Sequence, residues 1–267
     1  MTCKTMAPKD FRAELVENRK LDDGTFLMSL RCPEIARAAE PGQFVLLRPG
    51  AGNDPFLGRP LAVAAVDGDV FTVLLRVTGR GTEMLASRRE GDFITVRGPS
   101  GRGFWSSRKG EPLPGKIILA GGSVGAAPLI FAAGRLGSAV TAAAFGFAGR
   151  GWEGTAKLAG ELVSGAGLFS DDGAFGRKGT VLAGLPDELP HDTEIWACGP
   201  VGMLRALAAK YPGSGSRVRV SLEARMACGA GGCLGCVIPL VTGNARVCAD
   251  GPVFKAGEVK WDDLDQI

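Results

Sequence analysis

Four of the seven cysteines in this chain lie between residues 226 and 251, with glycines interspersed among them. Cys228, Cys233 and Cys236 form the pattern C-x4-C-x2-C, and Cys248 comes after eleven further residues. Four thiolates suit either a structural zinc ion or an iron–sulphur cluster. The first three have the spacing of plant-type ferredoxins, whereas zinc sites usually combine two short C-x2-4-C hooks. The spacing therefore favours a 2Fe–2S cluster, with zinc as the alternative.

The glycines in this stretch keep the loop small and leave backbone N–H groups free to donate to sulphur, which tunes a cluster's potential. In a reducing compartment, clustered cysteines indicate metal binding or catalysis more often than disulfides. The remaining cysteines are too scattered to form a second metal site: Cys3, Cys32 and Cys198.

The composition is that of a folded globular protein without a nucleic-acid-binding surface. Hydrophobic residues make up 45% of the chain and charged residues 22%, which argues against extensive disorder. The formal net charge is only +3 and no basic stripe is present, so we expect no nucleic-acid partner. His191 is the single histidine, which excludes a Cys2His2 zinc site and a Rieske centre within the chain.

Two apolar features bear on location. The N-terminal residues lack an apolar run long enough for a signal peptide, so we expect a cytoplasmic protein. Residues 117–134 carry no charge over 18 positions, but glycines and Pro128 interrupt the stretch. This punctuation predicts a buried strand, a tight turn and a helix rather than a membrane span.

The first part of the chain has the pattern of an antiparallel barrel. Residues 11–104 contain six short apolar runs separated by glycine, proline or Asp-Gly, and Asp67-Gly68 is a strong hairpin signal. Only residues 81–89 have helical character. The pattern predicts a β-barrel with one short helix.

From about Gly115 onwards, apolar strands alternate with helical stretches, which predicts a parallel sheet with helices on both faces. The chain length also suggests more than one domain. We therefore predict three: a barrel at residues 1–106, an α/β nucleotide domain at 107–216 and a small cysteine-bearing domain at 217–267.

Three turns of the predicted parallel sheet are candidates for nucleotide binding. The turn containing Gly121, Gly122 and Gly125 follows a strand and opens a helix, where free N–H groups attract phosphate. The corner at residues 198–200 and the pair at 171–172 also follow strands, so all three belong to the same edge. A tight structural turn, a buried small cysteine and an ordinary polar loop are the respective alternatives.

The barrel offers cationic and helix-terminal groups next to this edge. Arg59 and Arg76 supply charge-assisted donors for a phosphate or a ring system, and Gly81 with Thr82 opens the short helix. Surface arginines on a barrel are the alternative. The neighbouring nucleotide crevice favours a bound dinucleotide flavin.

These residues together resemble the electron-transfer subunits of class 1B dihydroorotate dehydrogenases, within the ferredoxin reductase superfamily, over essentially the whole chain. The resemblance rests on the stretches GRPLAVA, RVTGRGTEML, GPSGRGF, LAGGSVGAAPL, DDGAFGRKGTV, ACGPVGML and LEARMACGAGGCLGCVIPL with VCADGPVF. The last stretch is the most specific, because its lead-in and exit add to the ligand spacing.

The resemblance implies an FAD barrel, an NAD-binding domain and a 2Fe–2S domain. The implied FAD residues are Arg59, Pro60, Leu61, Ala62, Leu74, Leu75, Arg76, Gly81 and Thr82. The implied NAD residues are Gly121, Gly122, Gly125, Asp171, Asp172, Gly199 and Pro200, with Cys198 as the catalytic-site residue. The implied cluster ligands are Cys228, Cys233, Cys236 and Cys248.

Two positions depart from the family pattern. Ala62 stands where the family usually has Ser or Thr to hydrogen-bond the flavin, and Ser123 stands where a third glycine is more common. Arg150, just past the second parallel strand, leaves the choice between NAD and NADP open.

The function implied is that of an oxidoreductase subunit in pyrimidine biosynthesis. Electrons pass from a partner FMN subunit, which oxidises dihydroorotate, through 2Fe–2S and FAD to NAD as a diffusible acceptor, in a heterotetramer of two plus two. One alternative is a reductase subunit of a sulfhydrogenase or an electron-bifurcating transhydrogenase, and Cys228 argues against the transhydrogenase type. The other is a non-redox interaction protein that holds zinc.

Overall fold

In the computed structural model, the chain is described over residues 8–50, 52, 54–108 and 110–266, with side chains described up to residue 264. Cys3 and the N-terminal residues examined for a signal peptide up to residue 7 lie outside this range.

Six antiparallel strands close into a barrel in the order β1-β2-β5-β4-β3-β6, as the alternating apolar pattern predicts. Ala13 and Leu15 of β1 point inward and are fully buried, whereas Arg12 and Glu14, which alternate with them, face outward. The strands are β1 (Lys9–Asp22), β2 (Thr25–Arg31), β3 (Phe44–Leu47), β4 (Arg59–Asp67), β5 (Val70–Arg76) and β6 (Phe93–Ser100).

Two helices complete the barrel. The helix predicted at residues 81–89 is α2 (Arg80–Ala86), while α1 (Pro33–Ala38) was not predicted. Pro33 occupies the first helical position of α1, where its missing N–H costs nothing, and Ile35 buries its side chain in the barrel core.

The second half of the chain forms one sheet of seven strands in the order β10-β9-β8-β7-β11-β12-β15, parallel except at β15. Five of these strands are β7 (Lys116–Gly122), β8 (Val140–Phe147), β9 (Gly167–Ser170), β10 (Arg177–Lys178) and β11 (Thr193–Cys198). The helices are α3 (Ala126–Leu136), α4 (Glu153–Leu162) and α5 (Val201–Lys210). Leu119, Trp196 and Ile195 are fully buried, as expected for strands covered on both faces.

The C-terminal residues add two strands to this sheet and one separate hairpin. They form β12 (Val218–Ser221), β13 (Val237–Leu240), β14 (Gly243–Arg246) and β15 (Val253–Lys255). β13 pairs with β14, whereas β12 pairs with β11 on one side and with β15 on the other. The proposed division at residues 216 and 217 therefore cuts through a continuous sheet.

A buried ion network ties the exit of the barrel to this sheet. Glu194 of β11 accepts from Arg108 at 2.7 Å and from Arg219 of β12 at 3.2 Å. Arg219 and Lys255 of β15 both reach Glu111, at 2.5 and 2.8 Å. Because Arg108 and Arg219 are 6% and 1% exposed, their charges require these partners. The network holds the linker, the sheet and the C-terminal segment together.

None of the helices within the described residues has the length and apolar character needed to cross a membrane.

Candidate functional site

The four cysteines of the C-terminal motif are brought together by a loop and a hairpin. Cys228, Cys233 and Cys236 lie between β12 and β13, and Cys248 follows β14 by two residues. The N–H of Val247 donates to the carbonyl of Cys236 at 3.0 Å, which folds the returning segment against the loop. Cys236 and Cys248 are buried, Cys228 is half-buried and Cys233 is exposed. Cys233 therefore marks the side of the site that faces solvent.

Backbone N–H groups are directed at all four sulphurs. The donors lie 3.2 to 3.5 Å away and pair as Gly231 to Cys248, Ala230 to Cys228, Cys248 to Cys236, and Gly235 to Cys233. Gly229 and Gly231 have φ of +62° and +79°, which side chains rarely adopt. These glycines are what allow the short loop to turn its N–H groups inward.

The thiols of this site differ in acidity. Burial acts to raise the pKa of Cys228, but the N–H groups of Ala230 and Cys233, the Cys233 thiol and the Gly232 N–H outweigh it, and the pKa falls to about 6. Burial and the neighbouring Cys236 thiol raise the pKa of Cys248 to about 12. Since metals bind thiolates, Cys228 is readier than Cys248 to bind a metal at neutral pH.

The thiols lie as two pairs, because Cys228 contacts Cys233 and Cys236 contacts Cys248. Within the described part of the chain, no three His, Cys, Asp or Glu side chains are arranged to hold one metal ion. Two thiolates for each of two irons is the ligation that a 2Fe–2S cluster requires. The donor set, its pairing and its inward N–H groups therefore fit such a cluster.

The cysteine loop is packed against the barrel. A Cβ on Gly229 would collide with Leu46 of β3, so only glycine permits this close approach. Arg97 of β6 donates to the carbonyl of Cys228 at 3.0 Å and is itself held by Asp10 through two bonds of 2.7 and 2.8 Å. These contacts fix Cys228 at the rim of the barrel.

The expected FAD residues form a continuous strip on the same barrel. Arg59, Pro60, Leu61 and Ala62 begin β4, and Leu74, Leu75 and Arg76 end β5. Gly81 and Thr82 are the second and third residues of α2. Thr82 accepts from the N–H of Gly79 at 3.2 Å and of Thr78 at 3.0 Å, which caps the helix.

Arg59 provides the cation at the centre of this strip. Its guanidinium lies directly against Gly81, so that a Cβ there would overlap it, and it donates to the carbonyl of Leu57. A cation held beside the first turn of a helix, with no side chain between them, fits a diphosphate.

Arg76 has protein partners on both halves of the chain. Its guanidinium donates to the hydroxyl of Thr25 at 2.7 Å and stacks 4.4 Å above the ring of Trp152, which precedes α4. Arg76 thus bridges the barrel and the α/β half in the described structure, and its role toward a flavin stays a prediction.

The two glycine turns of the sheet meet at its carboxyl edge, as the sequence predicts. Cys198 pairs with Gly121 across β11 and β7, and a Cβ on Gly125 would overlap the carbonyl of Cys198. A Cβ on Gly122 would come within 2.9 Å of Pro200 and one on Gly199 within 3.0 Å of Gly122. The bare backbones of both turns therefore form one cradle that side chains would fill.

A carboxyl group that sequence reasoning missed follows the strand next to Cys198, which pairs with Ser221 of β12. Glu223 follows β12, and its charge acts on Cys198. Burial raises the pKa of the Cys198 thiol, with Glu223 adding to the shift and Ser221 partly opposing it, so Cys198 stays a neutral thiol. Glu223 retains a solvent-exposed face, yet protein atoms crowd its carboxyl and raise its pKa through desolvation. The only sequence signal for Glu223 was its place in LEARMACG.

The two expected aspartates have unequal partners. Asp172 accepts from the N–H groups of Arg150 at 2.9 Å and Ala174 at 2.8 Å, which lowers its pKa and joins the loops after β8 and β9. Asp171 follows β9 at the same edge, where its N–H donates to Phe147. Both lie at the nucleotide edge, and ligand contact by either stays a prediction.

The cysteine loop borders a cavity of about 260 Å³ that extends to the residue just before the FAD strip. Cys228 and Cys233 line it on one side, and Gly58, which precedes Arg59, lines it on the other. The remaining walls are Leu46, Arg48, Phe56, Leu57, Arg97 and Ala227. The two predicted redox sites are therefore neighbours.

Comparison with known proteins agrees with this arrangement. Residues 223–260 match the family described as the iron-sulfur cluster binding domain of dihydroorotate dehydrogenase B. The chain is 34% identical to the dihydroorotate dehydrogenase B (NAD(+)) electron transfer subunit of Desulforamulus reducens, covering 95% of this chain and 99% of the relative. It is also 34% identical to that of Geobacillus thermodenitrificans, over 93% of this chain and 97% of the relative.

Among solved structures, the chain resembles one described under flavin-based electron bifurcation by the NADH-dependent reduced ferredoxin-NADP oxidoreductase. The TM-score is 0.81 with 28% identity, covering 95% of this chain and 91% of that one. A ferredoxin reductase from carbazole 1,9a-dioxygenase shares the fold, with a TM-score of 0.61, 21% identity and coverage of 80% and 68%.

The barrel, the parallel sheet and the paired cysteines define an oxidoreductase component with the ferredoxin reductase fold. Within that class, the chain belongs to the family of dihydroorotate dehydrogenase B (NAD(+)) electron transfer subunits.

Proposed function

We propose that this protein is the electron-transfer subunit of a cytoplasmic dihydroorotate dehydrogenase B, connecting a partner flavin subunit to NAD⁺ in pyrimidine biosynthesis. The observation that supports the proposal is the cavity lined by Cys228, Cys233 and Gly58, because Gly58 immediately precedes Arg59, the first of the expected FAD residues. When bound, a 2Fe–2S cluster supplies one-electron transfer and FAD supplies exchange between single electrons and hydride.

The cysteine loop holds and orients the cluster. Cys228, Cys233, Cys236 and Cys248 are its proposed ligands, and their N–H partners favour the more negatively charged state. Arg97 holds the loop to the barrel at Cys228, so this proposed ligand has a fixed position.

The barrel strip holds the flavin. Arg59 and the first turn of α2 are proposed to bind its diphosphate, and residues 60–62 to lie along its ring system. The family pattern usually has Ser or Thr at position 62, and its hydroxyl can hydrogen-bond the flavin. Because Ala62 has no hydroxyl, only its backbone N–H can make this hydrogen bond.

The cradle at the edge of the sheet receives the dinucleotide. Gly121, Gly122 and Gly125 let the first turn approach Gly199 and Pro200 closely, and the start of α3 after this turn is proposed to meet the phosphate. Cys198 presents a neutral thiol there, which adds no charge and no nucleophile to the site. Its proposed catalytic role is to shape the position of the nicotinamide.

The partner is proposed to approach the exposed side of the cysteine loop. Cys233 is the exposed ligand, and the next residue, Leu234, is 61% exposed. Phe56 and Leu57, which line the adjacent cavity, are 65% and 41% exposed. Apolar groups exposed around one redox ligand suit a protein interface.

The test is co-expression with the catalytic dihydroorotate dehydrogenase chain of the same organism. We expect a stable heteromeric complex with the visible spectrum of flavin and 2Fe–2S, and NAD⁺ reduction that depends on dihydroorotate. Co-purification with a hydrogenase or transhydrogenase chain instead, with no dihydroorotate-dependent activity, contradicts the proposal. A colourless protein that contains zinc contradicts any redox function.

A further inference from the structure

Arg246 is an arginine whose guanidinium faces the cysteine loop without being a ligand. It is the last residue of β14 and pairs with Val237, the residue after Cys236. The hairpin therefore fixes Arg246 directly behind the loop.

Asp250 fixes the direction of this guanidinium. Its two oxygens accept from Nε and Nη2 of Arg246 at 2.9 and 3.0 Å, and one also accepts the Arg246 backbone N–H at 2.9 Å. The pairing is bidentate, so the planar guanidinium has one orientation. Its remaining nitrogen, Nη1, points at the loop and donates to the carbonyl of Gly231 at 3.0 Å.

The Gly231 carbonyl belongs to the peptide group whose N–H is that of Gly232. In a planar peptide, the carbonyl and the N–H point in opposite directions. The N–H of Gly232 therefore points away from Arg246, and it is one of the backbone groups that lower the pKa of Cys228. A hydrogen bond to the carbonyl strengthens the donor at the other end of the same peptide.

This contact depends on a glycine. Gly231 has φ of +79°, and a Cβ there would lie 3.1 Å from Nη1 of Arg246 and 2.9 Å from Ala249. The N–H of Gly231 donates to Cys248 at 3.2 Å, so the two peptide groups around Gly231 serve both thiol pairs.

We propose that Arg246 is a positioning residue that raises the reduction potential of the cluster through the Gly231–Gly232 peptide. The inference rests on the proposed 2Fe–2S site. Addition of one electron makes the site more negative, so a polarised N–H at Cys228 stabilises the reduced form more than the oxidised form. The positive charge of Arg246 also favours the reduced form and so raises the reduction potential as well.

The experiment is a redox titration of the purified protein, followed by the electron paramagnetic resonance signal of the reduced site with dithionite as reductant. For Arg246→Gln, we expect the equilibrium constant for reduction to fall about tenfold, which lowers the midpoint potential by about 59 mV for one electron. Arg246→Lys, which keeps the charge without the fork geometry, is expected to recover part of that shift.

Arg225→Gln is the matched control. It removes the same charge three residues before Cys228, and within the described residues Arg225 has no hydrogen-bond or ion-pair partner. We expect less than a twofold change. Equal shifts for both glutamine variants, or no shift for Arg246→Gln, overturn the inference while leaving the cluster in place. Absence of any cluster signal from the unmodified protein contradicts the proposed function instead. If Arg246→Gln does not retain the cluster, the midpoint potential of Arg246→Lys becomes the test. A midpoint potential equal to that of the unmodified protein then overturns the proposal.

Discussion

Asp22, at the end of barrel strand β1, caps helix α4 of the α/β half through Thr155. The backbone N–H and the hydroxyl of Thr155 lie 2.9 and 2.5 Å from one carboxylate oxygen, and the N–H of Gly154 lies 2.6 Å from the other. Asp22 is 9% exposed. The N–H groups at the start of α4, in the α/β half, therefore find their hydrogen-bond acceptor in a carboxylate from the barrel.

Asp22→Ala is expected to lower the free energy of unfolding by about 2 kcal/mol, because it leaves two helix N–H groups buried without an acceptor. We also expect a higher KM for NADH, since the two domains lose their fixed angle. Urea unfolding and NADH–ferricyanide kinetics measure both effects. Asp23→Ala is the control, because the Asp23 side chain is 97% exposed and, among the residues that the structure describes, bonds only Lys20. Equal losses in both variants contradict the assigned role of the cap.

Gly81→Ala is expected to weaken FAD binding about tenfold or more, because the new methyl group displaces the guanidinium of Arg59. Gly79→Ala, two residues earlier, has nothing within 4 Å of the added methyl and an extended φ of 171°. We expect flavin fluorescence titrations to separate the two variants. Similar flavin affinities would remove Arg59 from the proposed diphosphate site.

Glu223→Gln is expected to raise the stability of the fold and to lower the rate of NADH–ferricyanide reduction. Because desolvation raises the pKa of Glu223 above its usual 4.5, the folded state holds the proton more tightly, and stability is lost as pH rises through the raised pKa. At about pH 7 the glutamine variant is expected to have a higher free energy of unfolding than the unmodified protein. This difference disappears below about pH 4, where the carboxyl is protonated in both the folded and the unfolded state. Thermal unfolding across this range measures it.

We expect the same variant to lower the NADH–ferricyanide rate, since Glu223 comes two residues after Ser221, the partner of Cys198 across β11 and β12, and its charge acts on Cys198. Glu90→Gln, on an exposed turn of the barrel, serves as the control and is expected to change neither property. A stability gain that persists unchanged at low pH contradicts the assigned cause.

Cys233→Ser is expected to abolish dihydroorotate-dependent NAD⁺ reduction in the complex, because the cluster loses its exposed ligand. The NADH–ferricyanide activity of the flavin is expected to remain. Cys32→Ala removes a cysteine remote in sequence from the loop and is expected to leave the visible spectrum unchanged. Unimpaired coupling in Cys233→Ser contradicts a relay through this site.

Leu234→Asn is expected to weaken binding of the catalytic subunit while leaving the fold stable. Leu234 has φ of +60°, which asparagine tolerates better than leucine, and its exposed side chain contributes little to the core. Val241→Asn is matched to it, because Val241 is 59% exposed in the turn of the β13–β14 hairpin. The affinity for the immobilised catalytic subunit, measured by surface plasmon resonance, should fall only for Leu234→Asn. Equal affinities of the two variants contradict the proposed interface.

The barrel and most of the sheet could be predicted because their strands are apolar runs bounded by glycine, proline or Asp-Gly. Helix α1 was missed because it spans six residues and Pro33 is its main start signal. Strand β15 was missed because three residues carry no period, and only pairing with β12 defines it.

The grouping of the four cysteines could be predicted because they form a local spacing pattern, whereas other parts of the site depend on distant contacts. Glu223 reaches Cys198 only after β12 is added to the sheet. The hydrogen bond from the Arg150 N–H to the Asp172 carboxylate likewise joins two loops whose residues are 22 positions apart in the sequence.

The antiparallel pairing of β15 with β12 determines how this protein can be taken apart. The iron–sulphur segment is not an appendage: truncation before residue 218 deletes the strand next to β11 and exposes an unpaired edge. Limited proteolysis should therefore release no stable cluster fragment. A chimaera that exchanges clusters between reductases must splice within the loops, after Ser221 and before Val253, and keep both strands with the recipient sheet.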